Sequence, residues 1–371
     1  MKEIFVQAQA DHIESLFKAT PLAAIEELVW NALDANAREV QIDLVMNPLG
    51  GIEAIRVSDD GTGIDVLKVD STFGSLGGSW KRAGAAEGAR RLHGRHGRGR
   101  FKAFALGTVV EWRTTMRAGS DLISFLIKGE AERPGVFTLD AASPGPGTGT
   151  EVYVCNTRAN CASLLDTAGA VETLASKFAL YLKSYPSVKI FFNGIPVTPV
   201  IVQKKESDYR IETADGAAAN LKIIEWKRRF VGAGRLVWAG SDGFQLHEQS
   251  AAVRSGGIAF TAYLVSPRFA ELGRENAFLM EELNPEVASY MAAARAKLKE
   301  HFAAANANRA AAMIASWKAD GIYPYGDDEP EETTRRFDET APKVVAGFED
   351  FAAMKPGDKK IIFSLIKSSL R

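Results

Sequence analysis

Hydrophobic and polar positions follow two different periods along the first part of the chain. From Pro21 to about residue 37 the apolar residues recur at helical spacing, with proline in a first-turn position where its missing N–H is not needed. Residues 39–46 and 52–58 instead alternate apolar and polar positions around a short turn. The pattern predicts an amphipathic helix followed by a β-hairpin.

The same two periods extend over the rest of the chain and predict an α+β protein. Predicted strands cover 4–9, 109–116, 122–128, 135–139, 151–154, 188–192, 209–213, 221–227, 235–239 and 258–265. Predicted helices cover 11–18, 101–107, 171–184 and 285–305, with two amphipathic helices near the end of the chain.

The polar side of the first amphipathic helix carries three side chains with oxygen ligands. At about 100° per residue, Glu27, Asn31 and Asp34 lie within roughly 60° of one another. Carboxylate and amide oxygens suit a hard cation such as Mg²⁺, and a carboxylate in this position could activate water. On the helix alone, a solvated polar face is the simpler interpretation.

Three later segments have the composition of ligand-binding turns. Asp59 ends a strand before Gly61 and Gly63, so the backbone can turn sharply beside a carboxylate able to accept from an exocyclic amine. Residues 93–102 interleave glycine with Arg, His and Lys, which fits either an anion cradle or a flexible basic loop. Thr150 begins a further strand, where its hydroxyl could reach a ligand. Each segment is weak by itself.

Composition narrows the classes of function. With 371 residues, a net charge of −1 and 46% hydrophobic residues, the chain fits a globular protein of about two domains. No apolar run has signal-peptide or membrane-spanning length, which predicts a cytoplasmic protein without membrane contact. Two cysteines and one histidine pair favour neither a disulfide framework nor a zinc site. Residues 79–102 hold eight Lys or Arg against one acid, so a local nucleic-acid contact stays open.

Taken in order, the four motifs resemble those of the GHKL superfamily of ATPases. This superfamily includes DNA gyrase B, the ninety-kilodalton heat-shock chaperones, histidine kinases, MutL and the MORC proteins. Residues 27–35 resemble its N box, residues 59–63 its first glycine box, residues 94–99 its lid glycine motif and residues 149–150 its final threonine motif. The resemblance implies a Bergerat-type two-layer α/β sandwich, a mixed sheet covered by helices on one face.

The resemblance also implies a role for each motif residue. Glu27 would be the general base for the attacking water, and Asn31 would coordinate the Mg²⁺ that bridges the phosphates of ATP. Asp59 would accept from the adenine amino group with support from Thr150, while Asp34 would position its neighbours and the pocket floor. The other implied nucleotide-binding residues are Gly61, Gly63, Lys81, Gly94, Gly97 and Gly99.

The hydrolytic branches of the superfamily, the MutL, MORC and heat-shock-chaperone-like ones, carry a second, transducer domain. The resemblance therefore predicts a GHKL ATP-binding domain over 1–200, a ribosomal-protein-like α/β transducer over 201–310, and a helical tail over 311–371 that could lead into missing domains. Residues 272–276 resemble a chaperone loop whose arginine reaches the γ-phosphate, which makes Arg274 a catalytic candidate. A surface arginine at a helix start is an equal alternative. The histidine-kinase branch is disfavoured because His12 leaves no room for a phosphoacceptor hairpin before Glu27.

We expect Mg²⁺-dependent ATP binding and hydrolysis that drive lid closure and amino-terminal homodimerisation, with DNA or a client protein as the remodelled partner. Arg100 stands where the chaperones carry an aromatic residue after the last lid glycine, which suggests a lid that also touches a nucleic-acid backbone. The alternative is a non-hydrolysing module that senses ATP and signals through the C-terminal helices.

Overall fold

The computed structural model describes residues 14–74, 99–142, 147–228, 233–275, 277–280, 284–326, 329–348 and 350–370. The strands are β1 Glu39–Met46, β2 Ile52–Asp59, β3 Gly107–Ala118, β4 Asp121–Glu130, β5 Phe137–Ala141, β6 Gly149–Thr157, β7 Lys189–Phe192, β8 Ile195–Pro196, β9 Gln203–Glu212, β10 Ala218–Trp226, β11 Arg235–Ala239, β12 Gln245–Ser250 and β13 Phe260–Val265. The α-helices are α1 Pro21–Asp34, α2 Val69–Phe73, α3 Gly99–Lys102, α4 Thr167–Lys177, α5 Ala179–Ser184, α6 Pro199–Val202, α7 Phe269–Arg274, α8 Pro285–Ala319, α9 Glu331–Val345 and α10 Pro356–Ser369.

The first sheet has eight strands in the order β5-β4-β3-β6-β2-β1-β7-β8. Neighbouring strands pair antiparallel except β1 and β7, which run parallel. The register sets Asp59 of β2 opposite Thr150 of β6, and Thr150 opposite Thr114 of β3. Three strands therefore present neighbouring polar residues at one end of the sheet.

Helices cover one face of this sheet. Ile25 and Leu28 of α1 share a single hydrophobic core with Val40 and Ile42 of β1. Burying each such side chain contributes about 1.5–3 kcal/mol. Gln41, between the two buried strand residues, is exposed because successive strand residues point to opposite faces. The predicted mixed sheet with helices on one face is confirmed.

The second sheet has five strands in the order β12-β11-β13-β10-β9, with β11 and β13 parallel. The first half of α8 packs on it through Met291, Leu298 and Phe302. Helix α8 then continues to Trp317, which lies in a separate core with Phe337 of α9 and other residues of the C-terminal helices.

The first and second sheets are joined by an apolar contact. Leu180 of α5 is buried in one cluster with Trp226 of β10 and Tyr263 of β13. The Tyr263 hydroxyl also donates to the Ser176 carbonyl oxygen of α4 over 2.8 Å. Helices α4 and α5 therefore lie between the two sheets.

Most predicted elements are present, and the differences are instructive. Strand 39–46 is found as predicted, and α8 runs fourteen residues beyond the predicted end at 305, to Ala319. The predicted helix 171–184 is interrupted at Phe178, whose buried ring lies 4.8 Å from that of Trp30. Strand β12 was not predicted. The predicted strand 4–9 lies outside the described residues.

The division of the chain into segments 1–200, 201–310 and 311–371 stays a prediction, and one observation concerns the boundary at residue 310. Helix α8 crosses the predicted boundary at residue 310 without interruption. In the described part of the chain, no helix combines the length and the hydropathy that a membrane span requires.

Candidate active site

Helix α1 presents its polar side next to the first sheet. Thr20 caps the helix, accepting from the Ala23 N–H over 3.3 Å, and Pro21 follows in the first turn. Glu27, Asn31 and Asp34 are all partly exposed, whereas the opposite side of the helix is buried. The structure therefore places the three predicted residues together on one accessible stripe.

The carboxylate of Glu27 is held at the start of α3. Lys102 donates from Nζ to Glu27 Oε2 over 2.8 Å. Gly99 approaches so closely that a Cβ placed on it would lie 2.1 Å from Glu27 Oε1. Only glycine fits at position 99 without displacing this carboxylate. Lys102 was not among the predicted site residues.

Asp59 forms the other end of the site. Its Oδ1 accepts from the Gly61 N–H over 2.8 Å, and Thr150 lies beside it in the sheet register. Burial raises the Asp59 pKa to about 6, against the opposing effect of hydrogen bonds from the Gly61 and Thr150 backbones. The carboxyl group is therefore poised to change its charge near neutral pH.

Thr114 belongs to the same end of the site, although no sequence pattern marked it as a site residue. Its Oγ1 lies 3.0 Å from Thr150 Oγ1 and accepts from the Ile64 N–H over 2.9 Å. The side chain is 2% exposed. A chain of hydroxyl groups therefore connects the predicted threonine to the glycine turn.

The glycine turn after β2 packs directly on the end of α1. A Cβ on Gly61 would lie 2.7 Å from the Ala35 carbonyl oxygen, and Thr62 donates to that same oxygen over 2.8 Å. Gly63 has φ +75°, and a Cβ there would lie 2.2 Å from the Thr115 carbonyl oxygen. Both glycines are required by close backbone approach.

Arg100 is not on the surface, in contrast to the prediction of a nucleic-acid contact. Its side chain is buried, with Nη2 donating to the Phe73 carbonyl oxygen over 3.2 Å and the guanidinium 4.4 Å from the Phe101 ring. Burial lowers its pKa to about 10. The arginine of α3 therefore packs against Phe73 of α2 and Phe101 and is not a surface residue. Residues 75–98 of the basic segment lie outside the described residues, so a nucleic-acid contact of that segment stays a prediction.

Of the predicted site residues not yet described, Arg274 lies outside α1 and the first sheet. Arg274 lies on α7 in the second sheet's domain, is 68% exposed, and its guanidinium is 3.9 Å from Glu271. Lys81, Gly94 and Gly97 lie outside the described residues.

The amino-terminal part of the chain matches a known protein family. Residues 19–132 match the family model of the histidine kinase-, DNA gyrase B- and HSP90-like ATPases. The DNA mismatch repair protein MutL of Halalkalibacterium halodurans is 40% identical over 68 residues, which are 17% of this chain and 10% of MutL. MutL of Desulforudis audaxviator is 53% identical over 45 residues, 12% of this chain and 7% of that protein. The chain thus spans about a tenth or less of these relatives.

One solved structure overlaps a larger part of the chain. The Aquifex aeolicus MutL ATPase domain, complexed with ADP, covers 69% of this chain and 95% of its own length at 18% identity, with a TM-score of 0.36.

Residues 19–132 contain the N-box helix, the first glycine box and the segment that follows the lid glycines. The predicted resemblance to the GHKL ATPases is therefore confirmed over residues 19–132. Within that superfamily its resemblance is to the MutL-like branch.

Proposed function

We propose that the chain binds ATP with Mg²⁺ along the polar side of α1 and hydrolyses it. The observation that carries this proposal is the position of two carboxylates at opposite ends of one stripe. Ala35 contacts the turn after Asp59, and the eight residue steps from Glu27 to Ala35 span about 12 Å along the helix axis. An adenine at Asp59 therefore places the triphosphate of an extended nucleotide near Asn31 and Glu27.

At the adenine end of the site, the ionised Asp59 carboxylate accepts a hydrogen bond from the adenine amino group. Its second contact, the Gly61 N–H, keeps the carboxylate oriented, and the Thr150 and Thr114 hydroxyls extend the polar floor. Gly63 lets the chain pass close to β3 without a side chain entering the pocket. These contacts select an exocyclic amine over a carbonyl group, because a carboxylate has no proton to donate.

At the phosphate end, the donor set fits a shared magnesium site. No group of three or more His, Cys, Asp or Glu side chains able to hold a metal occurs among the described residues. Mg²⁺ is commonly held by one or two protein oxygens together with substrate phosphates, which matches the Asn31 amide oxygen on an open stripe. Bound there, the ion would offset phosphate charge, while Asp34 would support the pocket floor.

Glu27 is the proposed base that orients and deprotonates the attacking water. Hydrolysis of ATP depends mainly on positioning and on charge stabilisation, so a single well-placed carboxylate is sufficient for this role. Gly99 brings the start of α3 against that carboxylate. Gly94, Gly97 and Lys81 are proposed, from the superfamily resemblance, to complete the phosphate side.

The decisive experiment compares the wild type with Glu27→Gln, which keeps the shape and removes the base. We expect Mg²⁺-dependent phosphate release by the wild type and a loss of about 100-fold or more in Glu27→Gln. Nucleotide affinity, measured by calorimetry, should change by less than about threefold. Unchanged hydrolysis in the variant would overturn the role of Glu27.

One observation favours a second function, that of an ATP sensor without turnover. The Glu27 carboxylate is already engaged by Lys102 and is not open to water on that side. A wild-type protein that binds ATP with Mg²⁺ but releases no phosphate would establish the sensor, with the C-terminal helices as the proposed output.

The proposed consequence of ATP binding is a conformational switch. From the superfamily resemblance we propose that the glycine-rich segment closes over ATP, that two copies associate through their amino-terminal parts, and that the cycle acts on DNA or a protein client. The second sheet would serve as the transducer, with Arg274 reaching the γ-phosphate.

Sedimentation with a non-hydrolysable ATP analogue tests association, and Arg274→Gln should slow hydrolysis without weakening nucleotide binding. Titration of DNA binding with salt separates the two kinds of client, because phosphate contacts give a steep salt dependence.

A further inference from the structure

A group of charged side chains lies where α1, α4 and the second sheet meet. Lys177, the last residue of α4, donates from Nζ to both Glu248 oxygens of β12 over 2.7 and 3.0 Å. The same ammonium lies 3.8 Å from Glu26 Oε2 of α1. All three side chains are 20% exposed or less. One buried ammonium therefore links the helix of the active site to the second sheet.

The second sheet holds Glu248 from its own side as well. Arg235 of β11 forms an ion pair with Glu248, and Gln245 Nε2 donates to Glu248 Oε2 over 2.9 Å. Every partner of Glu248 in this cluster is thus a donor. A carboxylate fixed by three donors gives Lys177 one defined position.

Burial and charge in the cluster oppose one another. Burial raises the pKa of Glu26, whereas Lys177, Arg235 and Lys102 lower it. Burial lowers the pKa of Lys177, and Glu26 raises it. Burial is the larger effect in both groups, so the pKa of Glu26 is raised overall and that of Lys177 is lowered overall. Each charge is opposed by burial and supported by its partner, and removing either partner leaves the other less compensated.

The cluster extends to the active site. Glu26 directly precedes Glu27, and Lys102, which contacts Glu27 at 2.8 Å, also lies within electrostatic range of Glu26. Charges of alternating sign therefore run from the proposed base to the second sheet, in the order Glu27, Lys102, Glu26, Lys177, Glu248 and Arg235.

The cluster is not needed to hold the two sheets together. The apolar contact of Leu180 with Trp226 and Tyr263 already buries the junction. A buried ion pair adds little net stability, since its attraction is offset by desolvation, but it fixes a geometry that apolar contact leaves open. We therefore expect the cluster to affect the relative position of the elements at the junction, and not the stability of the junction.

We infer that the Lys177–Glu248 pair is a positioning device through which the second sheet sets the orientation of α1 at Glu26 and Glu27. This inference rests on the proposed function, since Glu27 acts on nucleotide only if the chain hydrolyses ATP. The inferred role of the pair is regulatory: a shift of β11 and β12 changes the rate of ATP hydrolysis.

The test replaces Lys177 by Met, which keeps the side-chain length and removes the charge. We expect kcat for ATP hydrolysis to fall about tenfold, within the usual 5- to 150-fold range of coupling between sites, while KM for ATP changes less than about threefold. Lys177→Arg should restore kcat to within about twofold of the wild type, since it keeps the charge.

The matched control is Arg228→Gln. Arg228, beyond the end of β10, pairs with Glu172 on the same helix α4, so this pair also joins α4 to the second sheet. Among the described residues, the pair forms no ion pair with α1. Its loss should leave kcat within about twofold. Glu248→Gln provides a second test from the other side of the junction, should Lys177→Met unfold below assay temperature.

Hydrogen exchange at the amides of 21–34 reads the orientation of α1 without turnover. Faster exchange in Lys177→Met than in Arg228→Gln supports the positioning role of the pair. If the wild type hydrolyses no ATP, this exchange result still supports the positioning role, and only the proposed function fails. Active wild type with equal kcat and equal exchange in Lys177→Met, Glu248→Gln and Arg228→Gln would overturn the inference. Equal losses in Lys177→Met and Lys177→Arg would also contradict it.

Discussion

The two ends of the α1 stripe are built in different ways. At the Asp59 end the carboxylate is fixed by backbone N–H groups of a glycine turn and by strand register. At the Glu27 end the carboxylate is fixed by Lys102, a long side chain that is 40% exposed. Backbone contacts change only if the sheet changes, whereas an exposed ammonium can change partner. The proposed adenine-binding end at Asp59 is therefore preorganised, and the proposed catalytic end at Glu27 is adjustable.

Among the tests of this difference between the two ends, we expect the largest effect from Gly99→Ala, at the Glu27 end. The added Cβ would lie 2.1 Å from Glu27 Oε1, so the carboxylate must move. Displacement of a catalytic group by about 1 Å can cost about 100-fold in rate, and we expect a loss of that size in kcat. Calorimetry should show nucleotide affinity within about fivefold of the wild type. Equal losses of affinity and rate would show that the two ends are not separable.

Asp59→Asn tests the preorganised end, and its two effects have opposite signs. The amide is a poorer acceptor for the adenine amino group, and loss of this buried contact should weaken nucleotide binding by about 1–3 kcal/mol, or about 5- to 150-fold. The variant should also unfold at a higher temperature at pH 7.5, because it carries no buried charge.

The pKa of Asp59 gives the direction of that second effect. The folded pKa of about 6 lies above the ordinary value of 3.8, so the folded state binds more protons between these values. The free energy of unfolding contributed by Asp59 therefore falls as pH rises through this window. The difference in melting temperature between wild type and Asp59→Asn should be largest at pH 7.5 and vanish near pH 4.

Nucleotide binding should depend on pH through the same group. Only the ionised Asp59 accepts fully from an amine, and about a tenth of it is ionised one unit below a pKa of 6. We expect the Kd for ATP to rise about tenfold from pH 7.5 to pH 5, with proton release on binding near pH 6 in calorimetry across two buffers. Binding that is independent of pH would place the adenine elsewhere.

Thr114→Val is the mildest probe. Valine keeps the volume but leaves the buried Ile64 N–H without its acceptor, which costs about 1–3 kcal/mol of stability. We expect a lower melting temperature and a Kd for ATP only about fivefold weaker, because Thr150 keeps its own hydroxyl at the pocket. Thr108→Val, near the opposite end of β3, is the control for substitution in this strand; an equal change in Kd there would remove Thr114 from the site.

Local patterns were sufficient for α1 and the β1–β2 hairpin, because periodicity and the glycine turn are encoded within about forty residues. They were insufficient where a distant contact decides. The interruption at Phe178 accompanies packing against Trp30, which lies far away in the chain. Lys102 stands in a basic run that gives no sign of which cation meets Glu27.

The polar stripe of α1 is likewise visible in the local sequence, whereas the contacts that support it are not. The spacing of Glu27 and Asn31 predicted that they share one side of α1, whereas their proposed roles came only from the resemblance of the four motifs taken in order. Lys177 and Glu248 are 71 residues apart, and nothing in either neighbourhood marks them as partners. Such pairs become visible only once the second sheet has been placed beside α4.

The continuity of α8 carries a mechanical consequence. Its 35 residues extend over about 52 Å, with one part seated on the second sheet and the far end inside the C-terminal core. A tilt of about 5° at the seated part sweeps the far end through about 4.5 Å of arc over that length. Helix α8 would in this sense act as a lever arm, because a small change of tilt on the second sheet becomes a displacement of several ångström at the C-terminal core.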